Sequence, residues 1–105
     1  MNIKYFLFTV LFVISIPAHA SEWYEGGTLH NAEASQWHKS SAHNKVATAA
    51  DFIVKLEFSS NMEQLKQRAF ELSICITEAT SEKSLMSMKI TDVAVLCVVQ
   101  LGYNK

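Results

Sequence analysis

The sequence predicts an all-α protein: a small bundle of three to four helices led by an irregular aromatic arm and stapled by a disulfide. Three observations predict it. Apolar residues recur at steps of three and four over two consecutive segments, Val46–Leu56 and Met62–Ile76, the period of a helix with one buried face. A third apolar segment, Val93–Leu101, is framed by a threonine ahead of it and a glycine behind it, residue types that start and stop helices. Two cysteines, Cys75 and Cys97, lie 22 positions apart behind a leader that directs export, and export delivers thiols to a space where an even pair bridges.

The leader comes first in the chain. Met1-Asn2-Ile3-Lys4 is a short cationic start, Tyr5–Ile16 an apolar run, and Pro17-Ala18-His19-Ala20 a small-residue cleavage site, the order of a secretory signal peptide. The apolar run is about a dozen residues, short of the roughly 20 that cross a bilayer. Residues 1–20 are expected to be removed, leaving residues 21–105 as one small helical domain, periplasmic or secreted, with no stable membrane insertion. Neither cysteine stands near Ala20, so lipid attachment at the new N-terminus is not expected. Lys4 is the only charge lost with the leader, and the remaining 8 basic and 10 acidic residues give a formal −2. That near-balance supplies no basic field for nucleic acid or anionic lipid.

Ser21–Asn31 has no helical period and carries the Gly26-Gly27 pair behind Trp23 and Tyr24; it reads as an ordered, irregular arm. Ala32–Lys39, with alanines, Glu33 and Gln36 around Trp37, reads as a short helix ending at Ser40-Ser41. From Ala42 to about Phe58, Val46, Ala49, Ala50, Ile53 and Leu56 form one stripe while Lys45, Asp51 and Lys55 fall off it. Ser59-Ser60-Asn61 breaks that helix, and Ser60 followed by Glu63 fits a capping box for the next. Met62, Leu65, Ala69, Leu72 and Ile76 then share a face, with Cys75 beside it.

Glu78–Lys89 is polar and serine-rich and reads as a connection with one helical turn through Leu85–Met88. The last element is expected to open with Thr91 as N-cap, Asp92 in the first turn, and Ile90 and Val95 as a hydrophobic staple. Gly102 is the expected stop. The β-branched run Val93–Val99 also suits a buried strand, since periodicity does not separate the two in so short a segment. As a helix apolar on nearly every face, it is expected at the centre of the bundle. Cys75 then ties one long helix to the last one through Cys97.

No catalytic constellation is visible. Ser35, Ser40, Ser41 and Ser73 lie in neither G-x-S-x-G nor S-x-x-K, and the acidic residues are spread as solvated faces. Asp51 is expected to pair with Lys55 one turn on. His30, His38 and His43, with Glu25 and Glu33 nearby, match no zinc spacing; no metal and no cofactor are expected. Met62, Met86 and Met88 read as gap-filling or loop residues. The least generic segment is aromatic, glycine and histidine: Trp23, Tyr24, Gly26, Gly27 and His30, with Trp37 behind it. Two glycines permit a positive φ or a close backbone approach; Trp23, Tyr24 and Leu29 either fold back as an arm covering the open side of the bundle or offer a partner surface. These six are the candidate binding residues.

The string Trp23-Tyr24-Glu25-Gly26-Gly27-Thr28-Leu29-His30-Asn31-Ala32, then Trp37, then Asn44-Lys45-Val46-Ala47-Thr48-Ala49-Ala50-Asp51, resembles a group of small exported bacterial proteins of unassigned function. The likeness covers about residues 23–52. It implies a bacterial source and a periplasmic or secreted product, and it brings no activity, cofactor or catalytic residue with it. The functional expectation is a non-enzymatic binding, inhibitor or adaptor module acting on another protein. The alternative is a small-ligand or metal carrier using Trp23, Tyr24, His30 and His38.

Overall fold

Side-chain oxygens standing three residues ahead of an amide fix where two of the helices begin. The computed structural model describes residues 22–104; the expected signal peptide, residues 1–20, lies outside them. Four helices follow one another, α1 (Ala34–Lys39), α2 (Ala42–Lys55), α3 (Met62–Ala79) and α4 (Ile90–Gln100), with a 3₁₀ turn at Lys83–Leu85. Among the described residues the extended pairing is a lone antiparallel bridge between Glu33 and Lys89. The protein is therefore all-α, and the strand alternative for Val93–Val99 falls to α4.

Ser41 Oγ accepts from the Asn44 amide at 3.1 Å and starts α2. Asn61 Oδ1 accepts from the Gln64 amide at 2.7 Å and starts α3, one residue after the expected Ser60 cap. Gln64 also accepts from the Ser60 amide at 2.7 Å, so glutamine does what Glu63 was expected to do, in a register moved by one. Thr91 does not cap α4. Lys89 is its N-cap, without a side-chain bond, because the Ile90 amide donates to Ala32 O at 2.9 Å. Tertiary backbone pairing satisfies the first orphan amide before Thr91 is reached, which puts Ile90 inside the helix and dissolves the expected staple with Val95. The same pairing works in reverse. The Ala34 and Ser35 amides donate to Met88 O (2.8 Å) and Met86 O (2.9 Å), so α1 starts at Ala34 rather than Ala32.

α2 ends at Lys55, earlier than Phe58, in a six-residue C-terminal motif. Phe58 N–H donates to Ile53 O at 3.0 Å and Glu57 N–H to Val54 O at 3.0 Å, with Glu57 at φ 61. This is a Schellman turn whose left-handed position is filled by a glutamate instead of glycine. α4 ends in the same motif, Tyr103 N–H to Val98 O and Gly102 N–H to Val99 O, but there Gly102 takes the positive φ of 81. Left-handed backbone costs an L-residue about 1–2 kcal/mol, while glycine loses about 0.5–1 kcal/mol more entropy on folding. Glu57→Gly is expected to raise stability by about 0.5–1 kcal/mol, read in a urea titration at unchanged slope; a loss would mean that Glu57 makes compensating contacts.

The most enclosed turn of the bundle belongs to α2, not to the more apolar α4. Ala47, Thr48, Ala49 and Ala50 are enclosed, and four consecutive residues span every side of a helix. Alanine explains the exchange of places: small side chains let the arm and α3 approach α2 closely, whereas the branched residues of α4 keep neighbours at a distance. Trp37 is fully buried, its Nε1–H donating to Thr77 Oγ1 of α3 at 3.0 Å. α3 supplies Leu65, Ala69, Leu72 and Ile76 to the core, as its stripe predicts, and α2 with α3 is the most extensive helix pairing. α4 packs on α3 from the edge with Ile90, Val93, Ala94, Cys97 and Val98. The Cys75–Cys97 disulfide joins them at a Cα–Cα distance of 6.0 Å. The outer side of α4 stays uncovered: Val95, Leu96 and Val99 are 52%, 64% and 54% exposed. No helix of the described residues is long and apolar enough to cross a membrane.

Tyr103 latches the C-terminus to α3. Its hydroxyl donates to Glu71 Oε1, and Arg68 lies 4.5 Å over its ring while donating to Phe58 O at 2.7 Å. Burial, then the bond and charge of Glu71, push the Tyr103 phenol well above its usual range, against a smaller lowering by Arg68. A phenol raised on folding adds stability that is intact below the unfolded value of about 10 and is lost as pH climbs beyond it. The melting temperature is therefore expected to fall more steeply above pH ~10 than in Tyr103→Phe; parallel curves for the two would refute the latch.

Candidate functional site

α2 carries three polar side chains at i, i+4 and i+7, Asn44, Thr48 and Asp51, and that spacing puts them on one side of a helix otherwise rich in alanine. The arm lies along this side and each residue answers one of the three. Thr28 N–H donates to Asn44 Oδ1 at 2.9 Å, and Asn44 Nδ2 donates back to Thr28 Oγ1 at 2.9 Å. Leu29 N–H donates to Thr48 Oγ1 at 3.2 Å, inside the core. His30 Nε2 and Asp51 Oδ2 meet at 2.8 Å. Asp51 therefore pairs with the arm, not with Lys55 as expected. The arm has no partner strand among the described residues, so polar side chains of α2 satisfy the Thr28 and Leu29 amides.

The glycines make this docking possible. Gly26 turns the chain at φ 87, next to the bond between His43 Nε2 and Glu25 O at 2.8 Å. Gly27 sits so close to α2 that a Cβ there would lie 2.6 Å from Thr48 N and 2.8 Å from Ala47 C. Ahead of them Trp23 and Tyr24 stack edge to face at 5.3 Å, and Lys66 of α3 reaches within 5.9 Å of the Trp23 ring. Both rings are half-buried against the core.

Where the arm turns at His30 and Asn31, it closes one end of a groove of about 590 Å³ between α2 and α4. Phe52, Leu56, Ala94 and Val95 give it apolar walls, and Asp51, Lys55 and Thr91 line its polar rim. His30 is held edge to face on Phe52 at 5.7 Å as well as by Asp51, so its ring is fixed from two directions. The volume suits a side chain or a small ligand. A histidine oriented by a carboxylate is half of a nucleophile-activating set; Thr91 is the hydroxyl that lines the same groove among the described residues.

No family model, curated protein or solved structure matches this chain.

Of the six candidate binding residues, His30 is the one at the groove. Trp37 is enclosed in the core and presents no surface to a partner. Gly26 and Gly27 serve the docking of the arm, and Trp23, with Tyr24 against it and Lys66 over its ring, does not line the groove, nor does Tyr24. The three histidines likewise have separate partners: Asp51 for His30, Glu25 O for His43, and Thr80 for His38 at 2.8 Å to Oγ1. Among the described residues no three His, Cys, Asp or Glu side chains gather as a metal site. Phe52, Lys55, Leu56, Thr91, Ala94 and Val95 were not among the candidates. The polar stripe of α2, Asn44, Thr48 and Asp51, signals the docking of the arm and reaches the groove only at Asp51; none of these six lining residues carries a signal of its own.

Proposed function

We propose that this chain is an exported, non-enzymatic binding module of a bacterial periplasm, and that the outward side of α4, with the groove beside it, is the surface that meets a partner protein. One observation carries the reading. α4 is the most apolar of the three long helices, yet it lies at the edge of the bundle with Val95, Leu96 and Val99 at half exposure or more. Contiguous exposed apolar surface of this kind marks interaction sites. The arm, by contrast, spends its polar groups on α2. Export is supported by the leader at residues 1–20 and by the Cys75–Cys97 bridge, which persists in an oxidising compartment.

The test is site-specific photo-crosslinking in the exporting host, with the crosslinker at Val99 and, as control, at exposed Gln67 of α3. A discrete adduct from Val99 alone is expected. Adducts from both positions alike, or from neither, would defeat the proposal. Mass measurement of the exported chain reads the leader at the same time, with a start at Ser21 expected.

A small amphipathic ligand held in the groove is the second reading, favoured by its volume and by His30, Asp51 and Lys55 along one rim. Trp23, Tyr24 and His38, assigned to the carrier from sequence, lie elsewhere. A ligand in the groove is expected to raise the melting temperature of the wild type and not of Asp51→Ala; equal shifts in both would reject it.

A further inference from the structure

We infer that the outward side of α4 is covered by a second copy of this chain, packed antiparallel across a twofold axis near Leu96. The inference rests on the reading of this surface as a partner site and names its occupant. Lys89, Asp92, Val95, Leu96 and Val99 follow at steps of three, three, one and three and are all exposed, so they form one stripe with charges at its N-terminal end and apolar side chains over the rest. The stripe is self-complementary in one direction. Lys89 is the N-cap of α4, where a cation opposes the helix dipole, and the last turn of α4 holds no basic residue. In an antiparallel pair each Lys89 reaches the C-terminal turn of the other copy, where carbonyls and the dipole welcome a cation. The Val95–Leu96 step then meets its own equivalent, and Asp92 faces the apolar end instead of another acid. A parallel pair would set Asp92 against Asp92 and align the dipoles, both unfavourable.

Size limits the strength. An 11-residue helix is about 16 Å long, and Leu56, exposed across the groove from Val95, extends the face only slightly. Such a face lies near the lower bound of about 1,000 Å² total for a specific interface, so a dissociation constant on the order of 10 μM is expected.

Sedimentation of the mature, disulfide-bonded protein from about 1 to about 500 μM tests this. Expected are a monomer at the dilute end, a dimer at the concentrated end, and no dimer for Leu96→Glu. Phe70→Glu, a control on exposed α3 surface, should dimerise as the wild type does. Lys89→Glu separates the dimer from simple stickiness: it improves the charge at the N-terminus of its own helix, so the dilute monomer should melt higher while dimerisation weakens several-fold. A wild type that stays monomeric throughout, or a Leu96→Glu variant that dimerises unimpaired, overturns the inference. The Val99 adduct distinguishes this from failure of the broader reading. Twice the chain mass supports the pair, whereas a foreign adduct with a monomeric purified protein removes the pair and leaves α4 as a partner surface.

Discussion

Gly27→Ala is expected to destabilise the domain by about 3 kcal/mol or more, at the upper end of what overpacking does, and to lower its melting temperature by ~12 °C or more at about 4–8 °C per kcal/mol. The reason is the nature of the obstacle. The added Cβ would sit 2.6 Å from Thr48 N, 2.7 Å from Thr48 Cα and 2.8 Å from Ala47 C, all backbone atoms of the most enclosed turn of α2, which is packed from every side and has nowhere to move. The arm must lift instead. Lifting it breaks in turn Thr28 with Asn44, Leu29 with Thr48 and His30 with Asp51, and it unseats Leu29 from the core. Gly26→Ala provides the contrast. There the nearest atom to a Cβ is 3.9 Å away, and the difficulty is the positive φ alone, worth about 1–2 kcal/mol. Thermal melts of the two variants should therefore rank Gly27→Ala well below Gly26→Ala, with faster amide exchange at Thr28 and Leu29. A loss for Gly27→Ala no larger than for Gly26→Ala would show that the arm rides on α2 loosely.

This ranking shows how much of the motif was legible. The two strings that stand out in the sequence, residues 23–32 and 44–51, are two sides of one contact, and the glycine pair announces a close approach without saying to what. Eleven residues separate them, and periodicity within each string says nothing about pairing between them. Helix positions fared better because they depend on local chemistry. The stripes of α2 and α3 place those helices, and Gly102 places the end of α4. What failed locally failed for tertiary reasons. Ile90 begins α4 early because Ala32 O is waiting for its amide, and Glu57 accepts a left-handed backbone because Phe58 must turn back onto the core.

Burial rank was the deeper miss. Hydrophobicity assigned the centre to α4, but the fully enclosed turn is Ala47–Ala50 of α2, and closeness of approach decides which helix holds such a turn. Ala47, Ala49 and Ala50 win that place through their small volume. α4, displaced to the edge, keeps a set of branched side chains that the fold itself never covers. The candidate site follows from that displacement: the groove and the apolar stripe exist because the wrong helix, by hydropathy, is outside.

α4 is also where loss of the disulfide will be felt. Replacing Cys75 and Cys97 by alanine together is expected to remove roughly 3 kcal/mol, the chain-entropy value for a loop of 22 residues. That is a large share of the stability of a domain this size, about 4–12 kcal/mol at typical values per residue, and the melting temperature should drop by ~12–24 °C. The loss should not be uniform. α3 keeps its more extensive pairing with α2, whereas α4 retains the bond of Ile90 to Ala32, the Tyr103 latch to Glu71 and one buried side. Hydrogen exchange in the double variant should quicken first over Ile90–Gln100 while the α2 amides at Ala47–Ala50 stay protected. A drop under about 3 °C would mean that the latch and the core hold α4 without the bridge. If α4 does loosen, its outward stripe loses its fixed shape, and dimerisation should weaken under reducing conditions for the same reason. The bridge then does more than add stability: it holds rigid, at the edge of the bundle, the apolar helix that the alanine-rich core has pushed outside.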